Sequence, residues 1–522
     1  RAELAGASPP SVPVGRTELA SRLKALLPYG VGNTHPRFFG WVHGSGCPGV
    51  VLPELVAAAM NANCGGRDHA GVHVERQVLG WCKTLMGFPA DAGGLLVSGT
   101  SMATLIALKV ARDHCCAHAS RAGGVVAAGR LCGYTSNQAH SCLSLAFDVL
   151  GMGSAQLRQV ATGAESFEMD LVALADAVAA DRRAGLVPFF VAGTAGTVSV
   201  GAVDDLDAIA DFCRGEQLWF HVDGAFGAAA VLSPLAAPRL SGLRRADSLA
   251  FDFHKWLHVA YDAGCVLVRD GDAHIHSFYN RPDYLLNNLS GADGSRERGI
   301  AAGRPWPTDF GPELSRGFRA LKVWSHFLEH GTHALGATIT ANLELAALLA
   351  RRVDAHPRLR RLAPAALNIV VFRYEPPRLA SPPEGGAAQP GQRAAPRGDS
   401  PRTASRKTQA AAYDAVGRMA AAGAIGSLPA GTLRHGSSVT SSGRKASQMG
   451  ARSTPVPSLG STLLTSDTAV GAVSHTLRGD ASAPVNAAVR SGSPKLLPRN
   501  GAEPGSGREG VVWAWSGDSD SP

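Results

Sequence analysis

Short apolar runs alternate with longer helix-like segments through most of the first 375 residues, and this alternation constrains the fold more than any other feature of the chain. The strand candidates are apolar on both faces and lie at residues 95–97, 187–192, 218–222, 248–251 and 265–269. The helix candidates lie at residues 53–63, 72–86, 101–114, 171–183, 204–214 and 314–330. The pattern predicts an α/β fold with a mostly parallel sheet flanked by helices. In such folds the chemistry lies at the carboxyl ends of the strands.

The composition changes abruptly near residue 375. All 17 Phe residues lie at or before Phe372, and residues 381–522 contain 3 aromatic residues against 29 in the first 380. A segment so rich in Ala, Gly, Ser and Pro buries too little apolar surface to offset its chain entropy. We therefore predict that residues 377–522 form a low-complexity, disordered tail.

Charge and cysteine content indicate the partners and the compartment. Residues 381–522 carry 15 Lys and Arg against 9 Asp and Glu, whereas residues 1–380 carry 35 against 33, so the excess positive charge belongs mostly to the tail. The nearly neutral body requires no nucleic-acid surface. No run of 18 apolar residues occurs, so no membrane span is expected. The 9 Cys residues show no regular spacing, which predicts a reduced, cytoplasmic protein.

Three chemically different groups follow predicted strands. Lys255 follows the apolar run that starts at residue 248, Asp223 closes another strand, and a turn with Ser98, Thr100 and Ser101 precedes a helix. Each feature alone also fits an ordinary role as a solvated lysine, a turn-capping aspartate or a capped helix. Together, an amine, a carboxylate and a helix N-terminus that can hold a phosphate fit pyridoxal 5'-phosphate.

The chain resembles the group II pyridoxal-phosphate-dependent amino-acid decarboxylases, the family of aromatic L-amino-acid decarboxylase. Matching stretches occur in the same order at residues 33–41 (Asn-Thr-His-Pro-Arg-Phe-Phe-Gly-Trp), 98–104, 137–141 (Asn-Gln-Ala-His-Ser), 192–197 (Ala-Gly-Thr-Ala-Gly-Thr), 221–225 (His-Val-Asp-Gly-Ala), 254–256 (His-Lys-Trp), 282–285 (Pro-Asp-Tyr-Leu) and 313–324. The resemblance implies the type I, aspartate-aminotransferase-like transferase fold. It also implies decarboxylation of an L-amino acid to the amine and carbon dioxide, through Schiff-base exchange at Lys255.

The resemblance assigns a role to each matching residue. Lys255 would hold pyridoxal 5'-phosphate as a Schiff base, and Asp223 would pair with the ring nitrogen. His140 would stack on one face of the ring and help to transfer a proton, and Ala225 would pack on the other. Thr194 would lie near the phenolic oxygen or the substrate carboxylate. The residues that would hold the phosphate are Thr100, Ser101 and His254.

Tyr284 corresponds to a mobile-loop tyrosine that returns a proton to the α-carbon, and residues 285–306 read as a flexible lid. Relatives with phenylalanine at that position tend to be oxidative aldehyde synthases, so Tyr284 favours plain decarboxylation. Two alternatives stay open. One is an aldehyde synthase or another carbon–carbon lyase that uses the same cofactor, and the other is a truncated, non-catalytic homologue.

The identity of the amino-acid substrate is open at this point. Phe39 and Trp41 would form an aromatic wall for a tyrosine-, tryptophan- or DOPA-like side chain, or would serve as interface packing. Arg67 or His69 would instead receive an acidic side chain. His69 and His73 have the spacing of a metal site but no matching third ligand, so no metal is predicted.

The resemblance also implies a domain organisation and an assembly. Residues 1–50 form an N-terminal dimerisation arm, residues 51–366 the cofactor-binding large domain, and residues 367–376 the first strand of a small C-terminal domain. The rest of that small domain is missing from the sequence, so it is interpreted as truncated. Relatives build each active site from two subunits, which predicts a homodimer with shared active sites and a swapped helical arm at residues 19–27.

Overall fold

The computed structural model describes residues 9–279 and 305–376 and places a seven-stranded sheet at the centre of this part of the chain. Its strands are Gly93–Val97 (β1), Leu131–Ser136 (β2), Leu157–Val160 (β3), Val187–Thr194 (β4), Trp219–Asp223 (β5), Ser248–Asp252 (β6) and Gly264–Val268 (β7). The order across the sheet is β1-β7-β6-β5-β4-β2-β3, and β7 runs opposite to the other six strands. The predicted α/β class with a mostly parallel sheet is confirmed.

Helices cover both faces of this sheet. They are Arg16–Leu26 (α1), Val51–Met60 (α2), Ala70–Met86 (α3), Thr100–Cys115 (α4), Ala119–Gly123 (α5), Cys142–Val149 (α6), Leu171–Arg183 (α7), Leu206–Glu216 (α8), Gly271–Phe278 (α9) and Arg319–Ala355 (α10). Several begin at an aspartate whose carboxylate accepts backbone N–H groups of the first turn. Asp170 caps α7 in this way, Asp205 caps α8, and Asp270 caps α9. The cap at Asp205 explains why α8 begins two residues later than predicted.

The sheet separates two apolar cores, which explains why its strands are apolar on both faces. Leu95 and Val97 of β1 pack in the core beneath α4, α6 and α9, whereas Leu96 packs in the larger core beneath α3, α7, α8 and α10. Every residue of β1, β2, β5, β6 and β7 is buried. The strand ends, where the backbone leaves the sheet, are therefore the places where polar side chains can meet a ligand.

The last helix is much longer than the predicted segment and is interrupted at Gly331, which has left-handed φ 69° and ψ 159°. Part of α10 is long and apolar enough to cross a membrane by length and composition alone, but α10 packs against α2, α3 and the strand Leu359–Arg361 (β8). β8 pairs antiparallel with Phe372–Tyr374 (β9), so only the end of the strand predicted over residues 368–374 is present. The predicted tail at residues 377–522 lies outside the described residues.

Candidate active site

Three neighbouring parallel strands end in side chains that can carry chemistry. Thr194 is the last residue of β4 and pairs with Asp223, the last residue of β5. Asp252 is the last residue of β6, the next strand of the sheet, and Lys255 follows three positions later. The predicted meeting of a carboxylate and an amine at one edge of the sheet is therefore present in the structure.

Asp252 is the side chain that connects the lysine to the start of α4, and sequence reasoning missed it. Its Oδ2 lies 3.1 Å from Lys255 Nζ and 3.6 Å from His254 Nε2. Its Oδ1 accepts the backbone N–H of Thr100 at 2.7 Å. The predicted strand stopped at Phe251, so Asp252 was counted as loop. Its position at a strand end three residues before the lysine was the available signal.

Asp223 is 3% exposed and accepts a hydrogen bond from the backbone N–H of Ala225 at 3.1 Å. Burial raises the pKa of the Asp223 carboxyl, and the positive charge of Lys255 and that of His140 oppose this rise. A buried carboxylate of this kind is stabilised by a cation. The protonated ring nitrogen of pyridoxal phosphate is such a cation, so Asp223 fits the role that the family resemblance gives it.

The start of α4 suits the phosphate. Thr100 is the first helical residue, and its backbone N–H is bonded to Asp252, so the turn offers an anion mainly the positive end of the α4 dipole. The buried Thr100 Oγ1 has no hydrogen-bond partner among the described residues. Ser101 is exposed and lines the same surface depression as His140. His254 lies behind this turn, and burial lowers the pKa of its imidazole, while Asp252 opposes that shift.

Thr194 also carries a buried hydroxyl that lacks a partner within the described ranges. Asp204, a second residue that sequence reasoning missed, fixes its backbone: the carboxylate accepts N–H groups from Thr194 at 2.8 Å and from Met169 at 2.7 Å. Burial raises the pKa of Asp204 to about 6. Buried orphan hydroxyls at a strand end and a helix start are what a cofactor with ring and phosphate oxygens would satisfy, so the residues present fit pyridoxal phosphate.

Lys255 lines a small cavity whose other walls are largely aromatic. The wall residues with ring side chains are Phe38, Trp41, His43, Phe226, Trp256 and His258. Trp41 lines the same cavity as Lys255, although 67% of Trp41 is exposed. Phe39 is half-buried, and its neighbour Phe38 is the phenylalanine that lines the cavity. Lys255 and the pair Ser101–His140 line separate depressions.

The polar side chains around the start of α3 are hydrogen-bonded within residues 63–73. His69 Nδ1 accepts the backbone N–H of Gly71 and caps α3, and its Nε2 lies 3.1 Å from the carbonyl of Asn63. His73 pairs with Asp68 at 2.6 Å. The two histidines thus have different partners. Tyr284 and the greater part of the lid predicted at residues 285–306 lie outside the described residues.

A lysine paired with one strand-end carboxylate, a second buried carboxylate at the end of the neighbouring strand and a helix start beside them define a pyridoxal-phosphate enzyme of the type I fold. Residues 7–375 match the family described as the pyridoxal-dependent decarboxylase conserved domain, and the chain belongs to that family. It is a pyridoxal-phosphate-dependent amino-acid decarboxylase, a carboxy-lyase.

Relatives of known activity agree with this assignment. The chain is 36% identical over 354 residues to an aromatic-L-amino-acid decarboxylase of Bacillus atrophaeus, covering 66% of this chain and 69% of the relative. It is 30% identical to tryptophan decarboxylase 1 of Oryza sativa subsp. japonica, covering 66% and 68%. Among solved structures, Oryza sativa TDC with PLP and tryptamine superposes with a TM-score of 0.64 at 29% identity, covering 72% and 76%. Mouse CSAD gives 0.64 at 26% identity, covering 72% and 77%.

Proposed function

We propose that the amino acid this enzyme decarboxylates is aromatic. The observation that carries the proposal is the cavity that Lys255 shares with Phe38, Trp41 and Trp256, because flat apolar walls favour an aromatic side chain over a charged one. The Bacillus atrophaeus and Oryza sativa decarboxylases and the tyrosine decarboxylases of Narcissus pseudonarcissus and Petroselinum crispum act on aromatic amino acids by their names. Arg67, the residue considered for an acidic substrate, is not among the residues that line this cavity.

Pyridoxal phosphate, when bound, would supply an electron sink for the electron pair that is released as the substrate loses carbon dioxide. Lys255 would hold the cofactor through its side-chain amine. Asp223 keeps the ring nitrogen protonated, because its buried carboxylate needs a positive partner. Tyr284 returns a proton to the α-carbon, which completes the amine product.

The other residues of the site would bind and orient the cofactor and the substrate. Thr100, Ser101 and the N-terminus of α4 would hold the phosphate, with His254 behind them. His140 and Ala225 would hold the ring, and the Thr194 hydroxyl, which has no partner among the described residues, would donate to the ring or to the substrate carboxylate. We assign Asp252 as a positioning residue, since one carboxylate contacts the Thr100 amide, His254 and Lys255.

A carbon dioxide release screen tests the substrate class. The full chain with pyridoxal phosphate is incubated with tryptophan, tyrosine, phenylalanine and DOPA, and in parallel with glutamate, aspartate and cysteine sulfinate. We expect release from the aromatic set and background values from the acidic set. Release confined to the acidic set would refute the substrate proposal. Absence of release from every amino acid, with the cofactor bound, would favour the non-catalytic homologue.

The covalent role of Lys255 has a spectroscopic test. In Lys255→Ala the visible absorption band of the bound cofactor should disappear, because no other amine takes its place. Lys83→Ala is the matched control, since Lys83 bonds the carbonyl of Ala90 and lies outside the candidate site. An unaltered band in Lys255→Ala would refute the assignment.

An aldehyde synthase is the second candidate. Phenylacetaldehyde synthase of Arabidopsis thaliana is 28% identical to the chain over 357 residues, and the Narcissus pseudonarcissus tyrosine decarboxylase is 29% identical over 357 residues, so identity alone does not separate the two activities. Tyr284 favours the amine product. Hydrogen peroxide and ammonia are measured beside carbon dioxide, and peroxide in equal amount to carbon dioxide would establish the synthase instead.

We also propose that the chain forms a homodimer. The N-terminal region exposes large apolar side chains in two helices: Leu19, Leu23 and Leu26 in α1, and Val51, Leu52, Leu55, Val56 and Met60 in α2. Exposed apolar side chains grouped in this way are typical of an interface. The helix α2 begins eight residues after His43, the last residue of the N-terminal segment that lines the cavity of Lys255, in keeping with an active site shared between subunits.

Sedimentation of the purified chain tests the dimer. Leu52→Glu with Leu55→Glu should give a monomer with reduced carbon dioxide release, because charged side chains cannot be buried in an apolar interface. Val126→Glu is the control, since Val126 is 85% exposed and lies outside α1 and α2. A wild-type monomer with full activity would overturn the proposal. A cytoplasmic location is a further proposal, supported by the 9 free thiols, and cell fractionation tests it.

A further inference from the structure

Three potential metal ligands converge at a place that the decarboxylation mechanism does not use. One ligand atom from each of Cys47, His326 and His330 lies within 4.8 Å of the other two. Cys47 Sγ is 3.3 Å from His330 Nε2, although the two residues are 283 positions apart in the sequence. Cys47 lies just before α2, whereas the histidines are one helical turn apart on α10.

His326 is the member of this cluster that points to a ligand. The residue is 2% exposed, and among the described residues neither ring nitrogen has a well-aligned hydrogen-bond partner, although the backbone of Leu257 lies near the ring. A buried polar group without a partner costs free energy comparable to a lost hydrogen bond. Its ring centroid is 4.6 Å from that of His330, so a cation between the two imidazoles would satisfy His326.

The local electrostatics favour a cation. The first part of α10 ends at His330, because Gly331 leaves the helical conformation, and the negative end of the helix dipole therefore lies at the cluster. The Glu329 carboxylate is 3.8 Å from His330 Nε2 and adds negative charge.

The distances suit zinc in particular. Zinc–sulfur and zinc–nitrogen bonds of about 2.3 Å and about 2.0 Å place sulfur and nitrogen about 3.5 Å apart around a tetrahedral ion. The observed Cys47–His330 separation of 3.3 Å is close to this value, and the third ligand needs a shift of about 1 Å. One thiolate and two imidazoles are borderline-soft donors, and such donors bind zinc in preference to magnesium or calcium.

We propose that Cys47, His326 and His330 bind one Zn²⁺ ion that ties the segment before α2 to the kinked helix α10. The fourth position is open to water. This segment also packs on the loop of the catalytic lysine. A Cβ at Gly44 would lie 2.4 Å from the Lys255 carbonyl oxygen, and Ser45 Oγ lies 3.0 Å from His258 Nδ1. The ion therefore has a structural role, fixing one wall of the substrate cavity.

Metal content of the purified holoenzyme tests this site. The full chain is loaded with excess Zn²⁺, desalted and measured by mass spectrometry, and we expect about one zinc ion per chain. Cys47→Ser and His330→Asn should each lose most of that zinc. The control is His333→Asn, because His333 is exposed on the same helix, and it should keep the zinc of the wild type. Cofactor absorbance confirms that each variant is folded.

Cobalt provides a second readout that is independent of stability. Co²⁺ bound at this site should give a thiolate-to-metal charge-transfer band in the wild type and in His333→Asn, and no such band in Cys47→Ser. Zinc should also raise the melting temperature of the wild type and leave that of Cys47→Ser unchanged. Wild-type zinc content equal to that of a folded Cys47→Ser/His330→Asn double variant would overturn the proposal.

Discussion

Replacing Glu75 by Gln should destabilise the fold strongly, because Glu75 forms a bidentate ion pair with Arg316 in the interior. The two side chains are 3% and 1% exposed, and the N–O distances are 2.7 and 2.9 Å. Glu75 also accepts the backbone N–H of Leu96 in β1 at 3.1 Å. The pair thus ties α3 and the segment before α10 to the strand that leads into the phosphate-binding turn.

The size of the destabilisation depends on the hydrogen bonds that Arg316 retains in the variant. Removing one partner of a buried pair leaves an uncompensated charge, at a cost of about 3–5 kcal/mol. Arg316 still donates to the carbonyls of Cys64 and Leu96, and the new amide retains one acceptor. We therefore expect the lower end, about 3 kcal/mol.

Urea unfolding of the cofactor-bound chain, followed by circular dichroism, measures this loss. A destabilisation of about 3 kcal/mol should lower the midpoint by about 1 M. Glu165→Gln, at an exposed glutamate, is the control and should change the free energy of unfolding by less than about 0.5 kcal/mol. Glu75→Leu with Arg316→Met should be less destabilised than Glu75→Gln, because no charge is left buried. A midpoint of Glu75→Gln equal to that of the control would refute the reasoning.

Three further predictions concern the site and the pH dependence. Asp252→Asn should lower carbon dioxide release by about 10- to 100-fold, because the amide still accepts the Thr100 N–H but cannot balance the charge of Lys255; full activity would contradict the positioning role. Burial lowers the pKa of His274 to about 3, so stability present near pH 7 is lost as the pH falls below about 6.5, where only the unfolded imidazole takes up a proton. In His274→Gln, the free energy of unfolding measured with urea should fall less steeply between about pH 7 and about pH 5, the slope being smaller by up to about 1.4 kcal/mol per pH unit. An unchanged slope would exclude His274 as the origin of the pH dependence. Tyr284→Phe should release peroxide and ammonia with carbon dioxide, and an unchanged amine yield without peroxide would show that this phenol is not the proton donor.

The alternation of strands and helices was readable in the sequence, but two strands were not. β2 contains Gly133, a residue that usually interrupts a strand. In the structure a Cβ at Gly133 would lie 2.7 Å from the ring of Phe147, so the glycine permits α6 to pack closely on the sheet. β3 has only two buried residues and no continuous apolar run. Packing of α6 on the sheet therefore explains the glycine in β2, and the partial burial of β3 explains why that strand has no apolar run to detect.

In the candidate site, too, some residues were found from the sequence and others were missed. Lys255, Asp223 and the turn at Thr100 were found because each follows an apolar run with an unusual polar residue, and parallel strands bring their carboxyl ends to one edge. Asp252 and Asp204 were missed because their importance lies in the backbone groups that they bind, 152 and 10 residues away. The position of Asp252 at a strand end was visible in the sequence, but the amide that it binds was not.

By itself the sequence determined the fold class and the cofactor, because these depend on local periodicity and on residue types at strand ends, and the resemblance of its motifs to a known family implied the decarboxylation chemistry. Only the tertiary structure decided which phenylalanine lines the cavity of Lys255, which carboxylate holds that lysine, and that Cys47 meets two histidines of α10. Those contacts join segments far apart along the chain, and the free energy that brings such segments together comes from burial of the shared core, which no short stretch of sequence contains.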